Sequence, residues 1–503
     1  MADNIIIINT DGLTAPSAGN GIWENRANNY FQYELEGVPT CSILVQGYNR
    51  LNKTKYAVEC VLKYTQDVDY ELILVDNGSD DGTFEYFKSI EHENKTIIRV
   101  TNNIGSGFPF ETVKKIYKGK YLAAVSNDVY VTKNWLSNII KCYESDPRIG
   151  YACPASSNVS NFQEIEFEFS SFEDMQQKAA LYNKSDPSKW EERMRAISIL
   201  SVWARPVLDI VGSFDPAYIH DFGEDDMAIR LRRAGYKIMV LKDTWICHDH
   251  DFRNAEDKDP IAFQKSIESG RAVYREKYHG IDPWDDVNNY ELILLDSLND
   301  INLPDGTIRS LCVDVKCGTP ILEIRNVLRR QGITDVESFA FTAQAKYYLD
   351  LKTTDAKVEC DRIDYIQSKY ADNTFDIIVL GEPLNTYNEP VTLLQRLYNF
   401  LKPGGILLFK LRNTDDYKTF LRTVGLITQS DPDMPACISP EDILNVLKLF
   451  GGKDILINIE PYNLSKDDVA YLTGRLNQIS QSGIDEEIMR LCAENFAFKV
   501  VKG

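Results

Sequence analysis

Three acidic residues in a row, Glu224, Asp225 and Asp226, stand at the mouth of an amphipathic stretch. Met227, Ile229, Leu231 and Ala234 alternate there with Arg230, Arg232 and Arg233, as expected of a helix packed on one side. Gly235 follows, where a helix C-terminus favours glycine. A short apolar strand, KIMVL, comes next, and then His248 and His250, which share one side of an extended chain. Acids before a helix and imidazoles after the next strand can converge at one end of a sheet, where open α/β folds bind their ligands. The same acids would also complement the helix dipole, and the histidines would also serve as hydrogen-bonded loop residues.

The elements that must position these groups alternate along the first half. CSILVQGYNR reads as an apolar strand ending in polar residues, and LNKTKYAVECVLKYT has helical spacing. ELILVDNGSDDGTFEYFKSI repeats strand, loop and helix; TIIRVTNN is a third strand, GSGFPFETVKKIYKG a loop and helix, and KYLAAVSNDVYV a fourth strand. This alternation predicts a mostly parallel sheet covered on both faces, with sites in the loops at the carboxyl ends of its strands. Asp80 and Asp81 read as turn and cap residues before a helix. Upstream, the apolar run IIII and a Gly/Ser/Asn-rich piece predict an extension or edge hairpin over residues 1–36. Between the motifs, IEFEFSSFEDM and a polar, helix-like run through Trp190 form an insertion suited to acceptor selectivity or to a local core. Beyond His250, Phe263, Ile267 and Tyr274 keep helical spacing, and YHGIDPWDDVNN reads as a loop and linker.

Composition narrows the class. A chain of 503 residues allows roughly two to four domains. The formal net charge of −20 argues against a sequence-independent binder of nucleic-acid phosphates. Ten cysteines without a CxxC pair, beside five histidines, fit reduced thiols better than disulfides or a zinc site. IIII is too short to span a bilayer and no basic region precedes it, so a cytoplasmic location is expected.

Taken in order between Ser42 and Tyr236, the segments SILVQGYNR, LVDNGSDDGT, SNDVYV and GEDDMAIRLRRAGY resemble the family 2 nucleotide-sugar glycosyltransferases of the GT-A fold. The resemblance implies donor binding by Tyr48, Asn49, Asp76, Asn127 and Asp128. Tyr48 would stack on the base, though a rim aromatic is its plainer role, and Asp76 would accept from the base or ribose. SNDVYV stands at the family's DxD motif, with Ser126 in place of the first acid and Asp128 retained to hold Mn²⁺ or Mg²⁺ against the diphosphate. The acidic triplet stands at the ED motif, which implies Asp225 as the general base of an inverting transfer, with Glu224 as the neighbouring candidate. His248, with His250, lies where many relatives carry a metal-binding histidine.

From about Tyr290 the chain resembles a class I methyltransferase, most specifically in LKPGG before an apolar strand. Its cofactor loop departs from the family: Asp314-Val-Lys-Cys-Gly-Thr-Pro places Lys316 and Pro320 where glycines are usual. FAFTAQA ends without the acid that would bind ribose hydroxyls. No S-adenosylmethionine is therefore expected to bind.

The expected fold class is α/β: an extension (1–36), a GT-A glycosyltransferase domain (37–285), and a second Rossmann-like, methyltransferase-type domain (286–503) acting as scaffold, dimer interface or acceptor module. The resemblance implies transfer from a UDP-sugar such as UDP-GlcNAc to a hydroxyl, on Ser or Thr of a bacterial protein such as flagellin, or on a saccharide that becomes surface polysaccharide. A bifunctional glycosyltransferase and methyltransferase is the alternative.

Overall fold

Near-continuous Val, Ile and Leu runs, not alternating ones, mark strands buried on both faces, and the first half of the chain folds accordingly. The computed structural model describes residues 4–13, 37–105, 107–212, 214–215, 218, 221–249, 259–299, 301, 303–304, 306–419, 436–476 and 484–503. It divides into two compact units, Met1–Asn288 and Asn289–Gly503.

In the first unit, β1 (Asn4–Ile8), β2 (Cys41–Gly47), β3 (Tyr70–Asp76), β4 (Lys95–Val100) and β5 (Tyr121–Ser126) pair in parallel in the order β1-β4-β3-β2-β5. Helices α1 (Leu51–Tyr64), α2 (Thr83–Ser89) and α3 (Phe110–Ile116) make the crossovers. Successive residues of each strand feed opposite faces. Ile43, Val45, Leu72 and Leu74 join a core with Trp135 and Trp245, whereas Leu44, Ile73 and Val75 join another with Trp203 and Leu231.

The rest of the sheet departs from the parallel expectation. β6 (Val129–Tyr130), β7 (Ile149–Ser156), β8 (Trp190–Arg193), β9 (Leu200–Ala204) and β10 (Lys237–His248) complete it. β9 lies antiparallel between β5 and β7, β10 runs parallel to β7, and β6 and β8 pair antiparallel with β10. The N-terminal apolar run is a parallel strand on β4, and it has no hairpin partner among the described residues. The insertion forms helix α4 (Phe172–Tyr182), capped by Ser171, and then the buried strand β8, so the helical expectation fails at Trp190. Its aromatics serve a local core: Phe172 stacks on Tyr56, and Phe167 packs on Trp245. After helix α5 (Pro260–Lys277), the stretch expected to be a linker is tied down. There Asp282 accepts from Arg271 at 2.8 Å and caps Trp284 and Asp285. Burial raises the Asp282 pKa, but these bonds carry it down to about 2.

The second unit contains β11 (Ile308–Val313), β12 (Val336–Thr342), β13 (Lys357–Cys360), β14 (Phe375–Leu380), β15 (Leu401–Arg412), β16 (Gly452–Pro461) and β17 (Ala493–Lys502). Their order is β13-β12-β11-β14-β15-β17-β16, parallel but for β17. Strand order reverses between β11 and β14, which makes that crevice the switch point of the sheet.

Candidate active site

β2, β3 and β5 end side by side, with Gly47 opposite Asp76 and Gln46 opposite Ser126. β10 runs in the same direction and ends at His248. β6 folds back along it, pairing Val129 with His248, and this brings Asp128 alongside. Asp249 N–H donates to the Asp128 carbonyl at 2.8 Å, and His248 Nε2 lies 3.8 Å from Asp128 Oδ1. His248 Nδ1 is 3.0 Å from the Asn158 carbonyl, which can only accept, so Nδ1 donates there and Nε2 is the ring nitrogen that faces Asp128. One carboxylate beside one such imidazole is a donor set that fits a divalent cation with further ligands supplied from outside the protein. Among the described residues no group of three His, Cys, Asp or Glu side chains closes around a point. His250 lies outside the described residues.

The loop after β2 lines the same edge. Tyr48 is 48% exposed, as a stacking surface must be. Asn49 is held on both sides: its N–H donates to Ser79 Oγ at 2.9 Å, and its Oδ1 accepts from Asp80 N–H at 3.1 Å. Asn127 donates to the Asn49 carbonyl at 3.3 Å and to Thr54 Oγ1 at 3.0 Å. Asp81 accepts from Leu51 N–H and from Thr83 Oγ1, the turn role expected of it. Asp76 is fully buried. Its Oδ1 accepts from Ser79 N–H at 2.9 Å and its Oδ2 lies 3.1 Å from the Arg99 guanidinium. Oδ1 is thus engaged inside the fold, whereas Oδ2 faces Arg99 without an aligned hydrogen bond. Burial pushes its pKa up, against the Ser79 bonds and the Arg99 charge.

The acidic triplet opens helix α6 (Gly223–Arg233). Ser198 N–H bonds Glu224 two residues before Leu200 pairs with Val125, which sets the start of this helix near the end of β5. The helix is buried almost all round, not on one side. Arg230 bonds Asp226 at 2.9 Å, and Arg232 bonds Glu192 at 3.1 Å, which lets the guanidinium groups enter the interior. Gly235, at φ 93°, ends the helix with Tyr236 N–H reaching the Leu231 carbonyl at 3.2 Å.

The three acids have different environments. Asp226 is enclosed by Arg230 and by Tyr278, whose hydroxyl donates to it at 2.6 Å. Glu224 accepts from Ser198 N–H at 3.2 Å and from the Ser198 hydroxyl. It also lines an apolar slot with Tyr151, Trp203, Met227 and Leu231, of about 10 Å³, room for one water. Asp225 is 4% exposed, with Oδ1 2.9 Å from Arg195 Nε but not aligned as a hydrogen bond. Burial raises the pKa of both Glu224 and Asp225, and Arg195 pulls each back down.

At the carboxyl edge of the second sheet, Asp314 is also buried. It accepts from Ala343 N–H and from the Tyr387 hydroxyl, both at 2.8 Å. The exits of β11, β12 and β14 are thereby stitched together. Lys316 adopts φ 53°, and a side chain at Gly381 would lie 2.6 Å from the Asp314 carbonyl.

Residues 42–190 match the model of glycosyl transferase family 2, and residues 315–409 match that of a methyltransferase domain. The chain thus joins a domain that matches the family 2 glycosyltransferase model, called the glycosyltransferase domain below, to one that matches the methyltransferase model, called the methyltransferase domain. The first has a GT-A-like α/β fold and the second a methyltransferase-like Rossmann fold. The chain is 30% identical over 139 residues to the uncharacterized protein y4gI of Sinorhizobium fredii, covering 24% of this chain and 15% of that one. It is 24% identical over 117 residues to an uncharacterized glycosyltransferase of Haemophilus influenzae, covering 23% of this chain and 36% of that one. The matched part thus spans well under half the length of either curated relative. A mannosyltransferase from Pyrobaculum calidifontis, solved with GDP-Man and Mn²⁺, is 15% identical over 53% of this chain and 74% of its own, with a TM-score of 0.37. Among the described residues no helix is long and apolar enough to cross a membrane.

In the glycosyltransferase domain, Arg195, Ser198 and Asn158 escaped the sequence reading. Each acts by touching a motif residue far along the chain, and no local spacing announces that.

Proposed function

We propose that the glycosyltransferase domain transfers a sugar from a nucleotide sugar to a hydroxyl acceptor with inversion at the anomeric carbon. The observation that carries this reading is Asp128 beside His248 Nε2 where β10 ends, in a domain whose Glu224–Asp226 triplet opens a helix. Asp128 and His248 would hold a divalent cation, which when bound neutralises charge on the departing diphosphate. Tyr48 offers its face to the base, and Asn49, Asn127 and the Asp76 turn shape the loop around it. Asp225 takes the acceptor proton as the new C–O bond forms and the bond to phosphate breaks, its electrons leaving with the diphosphate. Its burial keeps water from competing with the acceptor.

The reading extends to a UDP-sugar as donor and to Ser or Thr of a protein such as flagellin as acceptor, on the resemblance of the motifs. A cytoplasmic setting suits thiols that are buried and weakly acidic, as with Cys60 at about 12 and Cys247 at about 11. The methyltransferase domain serves as a scaffold or oligomer surface without binding S-adenosylmethionine, which the stitched Asp314 supports. The test is hydrolysis of a panel of nucleotide sugars with Mn²⁺, followed by intact-mass analysis of acceptors. A mass increase of one sugar is expected; no turnover of any donor, with Mn²⁺ bound or absent, would sink the reading.

A further inference from the structure

The chain leaves β2 and enters α1 through Asn49 and Arg50, both left-handed at φ 53° and 58°. Two successive non-glycine residues in that region are strained and persist only where surroundings over-determine them. Here they do. Besides the Ser79, Asp80 and Asn127 bonds to Asn49, Leu51 N–H donates to Asp81 Oδ2 at 2.8 Å. Two other loops therefore clamp this turn, the one after β3 and the one after β5, and its product is the aim of one side chain. The Arg50 guanidinium, 51% exposed, reaches to 3.6 Å from Asp128 Oδ2. An ion pair so long and so exposed contributes little to stability, so the fold gains almost nothing from it. Lys53, one turn along, is committed elsewhere: it bonds the Asp249 carbonyl and lies 3.0 Å from Asp249 Oδ2.

We propose that Arg50 binds the diphosphate of the nucleotide-sugar donor, gripping its oxygens from beside Asp128. The proposal rests on the nucleotide-sugar reading above. A planar guanidinium presents paired donors that match phosphate oxygens, and a fixed cation there also stabilises the charge of the leaving diphosphate. Ser126, in place of a second carboxylate, leaves one acid fewer to hold a cation against the diphosphate, and Arg50 supplies positive charge there from the protein itself.

Calorimetry tests this on the full chain with UDP and GDP, each against its nucleoside, in EDTA and with Mn²⁺. Asn tolerates the left-handed region, so Arg50→Asn removes the charge while keeping the turn. It should weaken the bound nucleoside diphosphate about tenfold or more and leave the nucleoside unchanged. Arg50→Lys should recover only part, because a point charge does not reproduce the fork. Mn²⁺ alone, followed by its paramagnetic resonance signal, should bind Arg50→Asn at least as tightly as wild type, since a neighbouring positive charge has gone. Equal losses for nucleoside and diphosphate would reveal a purely structural residue, and unchanged diphosphate binding would remove Arg50 from the site. If wild type binds neither UDP nor GDP, the nucleotide-sugar reading itself fails.

Discussion

Both units place a carboxylate after a central parallel strand, at the edge where α/β sheets bind ligands, yet the two edges use it differently. In the glycosyltransferase domain, Asp128 sits beside His248 Nε2 and within reach of an exposed Arg50. In the methyltransferase domain, both oxygens of Asp314 are taken by Ala343 N–H and the Tyr387 hydroxyl. One edge leaves an imidazole nitrogen and an exposed guanidinium beside its acid, whereas the other has turned its acid into a seam between loops. Related topology therefore carries different chemistry, because function resides in the side chains at the strand ends and not in the sheet.

The largest effect that could break this contrast is catalytic. Asp225→Asn should lower kcat by about 10²–10⁴-fold with donor binding intact, as loss of a positioned base does. Because burial raises the Asp225 pKa, the carboxylate is charged only above that raised value, and kcat should fall on the acid side at a pH above the ordinary carboxylate range. Removing the Arg195 charge with Arg195→Gln should move that limb higher still. A pH profile of kcat checks both; an unshifted limb would leave Arg195 without an electrostatic role.

Next comes the cation. Asp128→Ala should weaken Mn²⁺ binding in the presence of UDP by at least about tenfold, since even outer partners of metal ligands cost that much. Asp314→Ala should leave Mn²⁺ affinity unchanged. Equal losses in the two variants, read by calorimetry, would erase the distinction between the edges.

A smaller effect probes the seam itself. Tyr387→Phe removes a donor from a buried carboxylate and should cost about 1–3 kcal/mol in urea unfolding of the second unit, with sugar transfer unaltered. The smallest expected effect is none at all: titration of S-adenosylmethionine into the intact protein should give no binding heat. A crystal soaked with it that showed the molecule beside Asp314 would reverse the assignment of that edge.

Much of this arrangement was legible beforehand. The runs at Ile43–Val45 and Leu72–Val75, and the helices between strands, follow from local pattern, because period and residue type fix which faces must be buried. His248 and the acids of α6 stand out by their place after a strand or at a helix start, and Asp128 by the resemblance of SNDVYV to a family motif. Burial hid other features. Arg230 and Arg232 look solvated in a linear pattern but are interior, because Asp226 and Glu192 neutralise them there.

By itself the sequence determined the strand–helix alternation and the stop at Gly235, and it put chemically competent residues at strand ends, since each depends on neighbours a few positions away. Only the tertiary structure decided that β9 would insert antiparallel between β5 and β7 and that β6 would fold back to bring Asp128 to His248. It alone decided that Asp76 would accept from Ser79 N–H and face Arg99, and that Arg195 would meet Asp225. These are pairings between segments distant in sequence, chosen by packing and by the need to satisfy buried charge, and no local pattern encodes the partner.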